Sequence, residues 1–152
     1  MSGHFVLTFN NLASMAWHSL MSALHEAGFS CVTAWYQIPA VVSSKAQLAA
    51  DSSYVGDIYC VFRYSEAEQL SRDIKAAREM IRKTAEKVVR ARGGRAPRIV
   101  VKRSVVLEIL RGNYSSDSIA IMDEAIEETL LVDGNFFVMD STGVHSSESE
   151  LM

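Results

Sequence analysis

The chain has 152 residues, 49% of them hydrophobic and 22% charged, which is enough apolar content to build the core of one domain. No apolar run approaches the roughly 20 residues that span a bilayer, and the apolar start at 5–7 has neither a basic flank nor a cleavage-like site. Two cysteines, Cys31 and Cys60, cannot make a disulfide framework, so a reducing cytoplasm is the expected compartment. The only prolines, Pro39 and Pro97, lie far apart and no two glycines are spaced as Gly-x-Gly. Chemistry that needs a Pro-Pro turn or a glycine-rich phosphate loop is therefore excluded as a self-contained activity.

Residues 4–9 (HFVLTF) read as a strand buried on both faces, broken by Asn10 and Asn11. A helix follows from about residue 13 or 14 to 27, with Trp17, Leu20, Met21 and Leu24 in one apolar stripe and Gly28 where a left-handed cap belongs. Residues 29–38 read as a second strand stopped by Pro39, 40–55 as a long loop, and 56–64 as a third strand. The first connection contains a helix and suits a parallel crossover; the second is a loop and suits an antiparallel return.

Residues 66–91 read as a long helix carrying Leu70, Ile74, Ala77, Ile81 and Val88, with the stripe broken at Thr84 and Ala85 and the helix ended by Gly93 and Gly94. A helix is expected over 102–110, although 98–101 has the composition of a strand. Ser115, Ser116 and Asp117 are good caps for a further helix over 118–132, with Ile119, Met122, Ile126 and Leu130 on one face. A turn at 133–135, a short strand at 136–139 and a disordered tail at 141–152 complete the reading. The domain divisions that follow are 1–65, 66–140 and 141–152.

The net charge of −3 hides three blocks. Residues 1–65 carry −1, residues 66–111 carry thirteen basic against six acidic groups, and residues 112–152 carry nine acidic groups and no Lys or Arg. Arg82, Lys83, Lys87, Arg90, Arg92, Arg95 and Arg98 fall within 17 residues, and mobile cations along one helix face are what phosphate contact needs. The basic block can equally be neutralised by the acidic one, and Glu79–Lys83 and Glu86–Arg90 stand at i, i+4. The segment has no aromatic residue, so stacking and base readout are not suggested. Trp35, Tyr36 and Tyr54 are candidates for a base-binding rim. His18, His25, Cys31 and Cys60 lack the spacings of a metal site, and no residue is marked as an activated nucleophile; no metal site is expected.

Four pieces, taken in order, carry a family resemblance. They are Gly3-His4-Phe5-Val6-Leu7-Thr8-Phe9; Ala16-Trp17-His18-Ser19-Leu20 followed by Ala23-Leu24-His25-Glu26-Ala27-Gly28-Phe29; Val32-Thr33-Ala34-Trp35; and Asp57-Ile58 through Val61-Phe62-Arg63. Residues 4–64 thereby resemble the C-terminal portion of the catalytic domain of the DNA methylases, the SAM-dependent amino-methyltransferases that act on adenine N6 or cytosine N4. The four pieces look like that family's fifth strand, next helix, sixth strand and final antiparallel strand. The resemblance implies the edge of a class I methyltransferase-type, Rossmann-like α/β fold: a three-stranded mixed sheet with 56–64 antiparallel between 4–9 and 29–38, followed by a helical C-terminal half. Residues 65–152 carry no such resemblance.

The resemblance also implies what this stretch lacks. SAM binding in such a fold uses a glycine turn after the first strand and an acidic residue after the second. Catalysis uses an Asn/Asp/Ser-Pro-Pro-aromatic turn that holds the flipped base. No catalytic or cofactor-binding residue can be carried over. By position Asn10, Asn11 and Trp35 fall at the rim of the substrate site, because open α/β sheets place ligands beyond the carboxyl ends of their strands. The expected function is a C-terminal fragment or split subunit of such a methylase, inactive alone, binding no cofactor by itself and relying on a complementary chain for SAM. The alternative is a non-enzymatic nucleic-acid-binding or assembly module acting through the basic helix at 78–98. A strand beginning at residue 4 would leave an unpaired apolar edge, expected to be covered by the C-terminal region or paired with a second chain, either a complementary one or another copy.

Overall fold

The computed structural model describes residues 3–9, 13–37, 57–64 and 71–139. Asn10, Asn11, Tyr54, Leu70 and the expected tail at 141–152 lie outside them. The chain forms an α/β structure of two small antiparallel sheets and, among the described residues, five helices.

The first sheet joins β1 (His4–Phe9), β2 (Phe29–Gln37) and β3 (Asp57–Tyr64) in the order β1-β3-β2. Val6 opposes Val61, Cys31 opposes Phe62, and β3 runs antiparallel to both neighbours. The expected placement of the third strand between the other two is what the fold adopts. Helix α1 (Ser14–Glu26) links β1 to β2, and Gly28, at φ 92°, turns the chain out of it as a left-handed cap residue. Every pairing is antiparallel, so the sheet is not mixed in its ladders; β1 and β2 point the same way only because β3 separates them.

Burial on both faces of β1 is not what the structure shows. Phe5, Leu7 and Phe9 pack on the core, whereas His4, Val6 and Thr8 are exposed. This antiparallel sheet has one covered face, so its strands alternate. The covered face carries Cys31, Ala34, Ile58, Cys60 and Phe62, all buried, against Trp17 and Met21 of α1. Phe9 meets the Trp17 ring edge-on at 4.7 Å, and Phe5 stacks on Phe62 at 5.3 Å.

Of the helix expected over 66–91, residues 66–70 lie outside the described residues and 71–73 are not helical; helix α2 (Ile74–Ala91) is capped by Asp73, which accepts a hydrogen bond from the Ala76 N–H at 3.1 Å. Its buried stripe is Ala77, Ile81, Ala85 and Val89, one residue per turn. Ala85 is therefore no break in the stripe: it is wholly buried, and small alanines let α2 lie close to α3. Helix α3 (Arg98–Arg111) starts four residues earlier than expected, directly after Pro97 at φ −57°, a value already helical. The apparent strand character of 98–101 yields to that start; Val101 is buried in the core.

The largest departure concerns 118–132. Two short helices, α4 (Ser116–Ala120) and α5 (Met122–Glu127), replace the single long one, and residues 130–132 belong to a strand. Strands β5 (Leu130–Asp133) and β6 (Phe136–Met139) form a hairpin closed by Asp133 opposite Phe136, with Gly134 at φ 58° first in a two-residue loop. Strand β4 (Arg95–Pro97), not anticipated from sequence, adds to β6 and completes a sheet of order β4-β6-β5. The C-terminal half is thus not purely helical. The second sheet contributes Ala96, Leu130 and Phe137 to the same core cluster as Trp17 and Phe62.

Candidate functional site

Three groups of residues are candidates for a site: the carboxyl ends of β1 and β2, the basic face of α2, and the polar seam where α1 meets the C-terminal half.

Phe9 and Tyr36 both oppose Ile58, so the last residues of β1 and β2 reach the same end of the sheet. Trp35 stands at that end on the uncovered face, 36% exposed, with its ring parallel to that of Tyr59 across the strand pair (5.5 Å, 10°). Its indole N–H donates to Gln37 Oε1 at 3.3 Å. Tyr36 points to the opposite face, where the Arg103 guanidinium lies 3.8 Å from its ring centre. Trp35 and Tyr36 therefore do not share one rim, because neighbours along a strand alternate faces.

The expected cationic track is largely neutralised. Arg82 lies 3.7 Å from Glu79 and 4.0 Å from Glu128, Lys83 3.7 Å from Glu79, and Arg90 3.4 Å from Glu86. Arg95 pairs with Asp133 at 2.6 Å and covers the Phe136 ring, and Arg98 sits over Phe137. Arg78, which the sequence reading did not single out, bridges Glu124 and Glu128. The acidic block thus folds back on the basic one, and of the seven expected cations Lys87 and Arg92 are exposed and have no ion pair among the described residues.

The order α3, a four-residue turn containing Gly112, then α4 is a helix-turn-helix arrangement followed by a hairpin. In DNA-reading versions the second helix enters the major groove. Here the second helix, α4, carries Asp117 and no base, the following α5 adds Asp123, Glu124 and Glu127, and α4 is packed against α1. Charge and occlusion both oppose a groove-reading role.

The sequence reading did not single out the seam. Ser14, His18 and Ser22, spaced four apart on α1, meet Asp123, Asp117 and Ser116 in turn: Ser14 Oγ donates to Asp123 Oδ2 at 2.6 Å, His18 Nε2 lies 4.0 Å from Asp117, and Ser22 Oγ donates to Ser116 Oγ at 3.0 Å. Lys102 Nζ reaches Asp123 Oδ1 at 3.0 Å. Burial pushes the Asp123 pKa up, but the bonds from Ser14 and Lys102 and the nearby Arg98 charge outweigh it and hold the carboxyl below its ordinary value. The i, i+4, i+8 spacing of Ser14, His18 and Ser22 is the only trace the seam leaves in the sequence.

The thiols are buried and free. Burial pushes Cys31 up to about 11 and Cys60 up to about 12, so neither is a nucleophile at neutral pH. Among the described residues no three His, Cys, Asp or Glu side chains gather as a metal site. Among them also, no helix is long and apolar enough to cross a membrane.

No family model, no curated protein and no solved structure matches this chain.

Proposed function

We propose that the chain is the C-terminal portion, or a separately encoded subunit, of a SAM-dependent DNA amino-methyltransferase of the adenine-N6 or cytosine-N4 type. The observation that supports this reading is the strand order β1-β3-β2, with α1 connecting the two outer strands and β3 antiparallel between them. That is the order the resemblance implies for the far edge of such a sheet. In this reading Trp35 lies at the ligand end of the sheet as a rim residue, and Asn10 and Asn11 follow the β1 carboxyl end. The chain's own residues supply no Pro-Pro turn and no Gly-x-Gly segment, so SAM and the reacting amine are held by a complementary chain.

The test is methyl transfer from labelled SAM to DNA. The purified chain alone should give none, and addition of a chain carrying the glycine turn and the Asn/Asp/Ser-Pro-Pro-aromatic segment should restore it. Turnover by the isolated chain, or no complex with any such partner, would sink the proposal.

A second reading, DNA binding or assembly through the basic helix, is supported by the exposed and unpaired Lys87 and Arg92. With Lys87 and Arg92 as the two phosphate contacts, the affinity should fall with about the second power of salt concentration, at a slope of about −0.9 per contact. Lys87→Gln with Arg92→Gln should remove the binding; a steep salt dependence that survives the double substitution would place the contacts elsewhere.

A further inference from the structure

The two edges of the first sheet are built differently. Strand β2 has an irregular register between Cys31 and Thr33, and the Arg111 side chain donates to its Ala34 carbonyl at 2.8 Å. Because β3 occupies one side of β2, that guanidinium approaches from the edge. A bulge and a capped carbonyl are devices that stop a further strand from adding. Strand β1 has neither. It pairs with β3 in unbroken register over all six residues, contains no Pro or Lys, and among the described residues no strand lies on its other side. Val6, at its centre, is 58% exposed.

An open strand edge presents a row of backbone donors and acceptors, and only another strand satisfies such a row. We infer that the β1 edge pairs antiparallel with the β1 edge of a second copy about a two-fold axis at Val6, giving one six-stranded sheet. The choice of occupant follows from the strand itself. Opposed residues on antiparallel strands share a face, so a two-fold pairing must centre on a residue and not between two. Centred on Val6, it sets Val6 against the partner's Val6 on the uncovered face, and Phe5 against the partner's Leu7 on the covered one. Half-buried Phe5 and Leu7 each gain an apolar neighbour. Residues 5–9 carry no charge, and His4 falls opposite the partner's Thr8, so no like charges meet across the seam. The protected β2 edges lie at the two ends of the doubled sheet, so pairing closes at two copies and does not propagate.

The inference does not depend on the methyltransferase reading. A complementary chain would compete for the same edge, and dimerisation is measured without one. One strand pair buries less than about 800 Å² per partner, the size of a standard stable interface, so the dimer should be concentration-dependent. Sedimentation over a concentration series should show monomer giving way to dimer, with nothing larger. Val6→Lys should shift the series to monomer with unchanged circular dichroism; Thr8→Lys, at another exposed edge position, is the second variant should the first fail to fold. Because Cys31 and Cys60 are buried, Val6→Cys introduces an accessible thiol and should cross-link two copies on mild oxidation, whereas Thr8→Cys should not. A wild-type monomer at every concentration, a dimer indifferent to Val6→Lys, or cross-linking through Thr8→Cys but not Val6→Cys would overturn it.

Discussion

Arg111, the last residue of α3, donates from Nε to the carbonyl oxygen of Ala34, 77 positions earlier in β2, at 2.8 Å. With Arg103 over the Tyr36 ring, it fastens the C-terminal half to the edge of the first sheet. A hydrogen bond to a charged group is worth about 1.5–3 kcal/mol when shielded, and the half-exposed Arg111 should yield less. Arg111→Gln should lower the urea-unfolding free energy by about 1 kcal/mol. A change within a few tenths would mean that the bond is not part of the docking.

Gly28 is held at φ 92°, and a Cβ there would stand 2.7 Å from the Tyr64 ring. Gly134, at φ 58°, has nothing within 4 Å of such an atom. Both alanine variants pay the left-handed backbone penalty of about 1–2 kcal/mol. Only Gly28→Ala must also displace an aromatic ring, so it should lower the melting temperature more than Gly134→Ala does. Equal losses would show that Tyr64 moves aside at no cost.

The Asp123 carboxyl is held below its ordinary value of 3.8 in the folded state. A depressed folded pKa contributes stability that is present above the unfolded value and is lost as pH falls through the folded one. The wild-type chain should therefore lose stability more steeply below about pH 4 than Asp123→Asn. Ser14→Ala and Lys102→Met should each reduce that difference. Parallel pH profiles for wild type and Asp123→Asn would remove Asp123 from the acid transition.

Cys31 and Cys60 should not react with a disulfide reagent at pH 8 in the folded protein, since burial holds both thiols protonated and covered. In denaturant both should react. Fast modification of either in the native state would contradict the packing of β2 on β3.

Local signals were readable without coordinates. The apolar spacing of Trp17 and Met21, the glycine at 28 and the run at 57–64 each concern residues within one or two turns of each other, and α1, β2 and β3 form where those signals lie. The Asp133-Gly134-Asn135 turn between apolar runs also carried a hairpin signal. The helical spacing of Ile126 and Leu130 competes with it, although these two residues belong to different elements.

What the chain by itself determined is β1, α1, β2 and β3 among the described residues, the location of most of the described helices, and the absence of a Pro-Pro turn or Gly-x-Gly segment, because composition and short-range periodicity are properties of neighbouring residues. Which face of β1 is covered, that β4 adds to β6, that Ala85 is core, and that Glu128 and Asp133 quench Arg82 and Arg95 were decided only by the tertiary structure. Each of these depends on contacts between segments remote in sequence. Their partners are selected by shape and charge once the two halves close on each other, and no periodicity within either half records that choice.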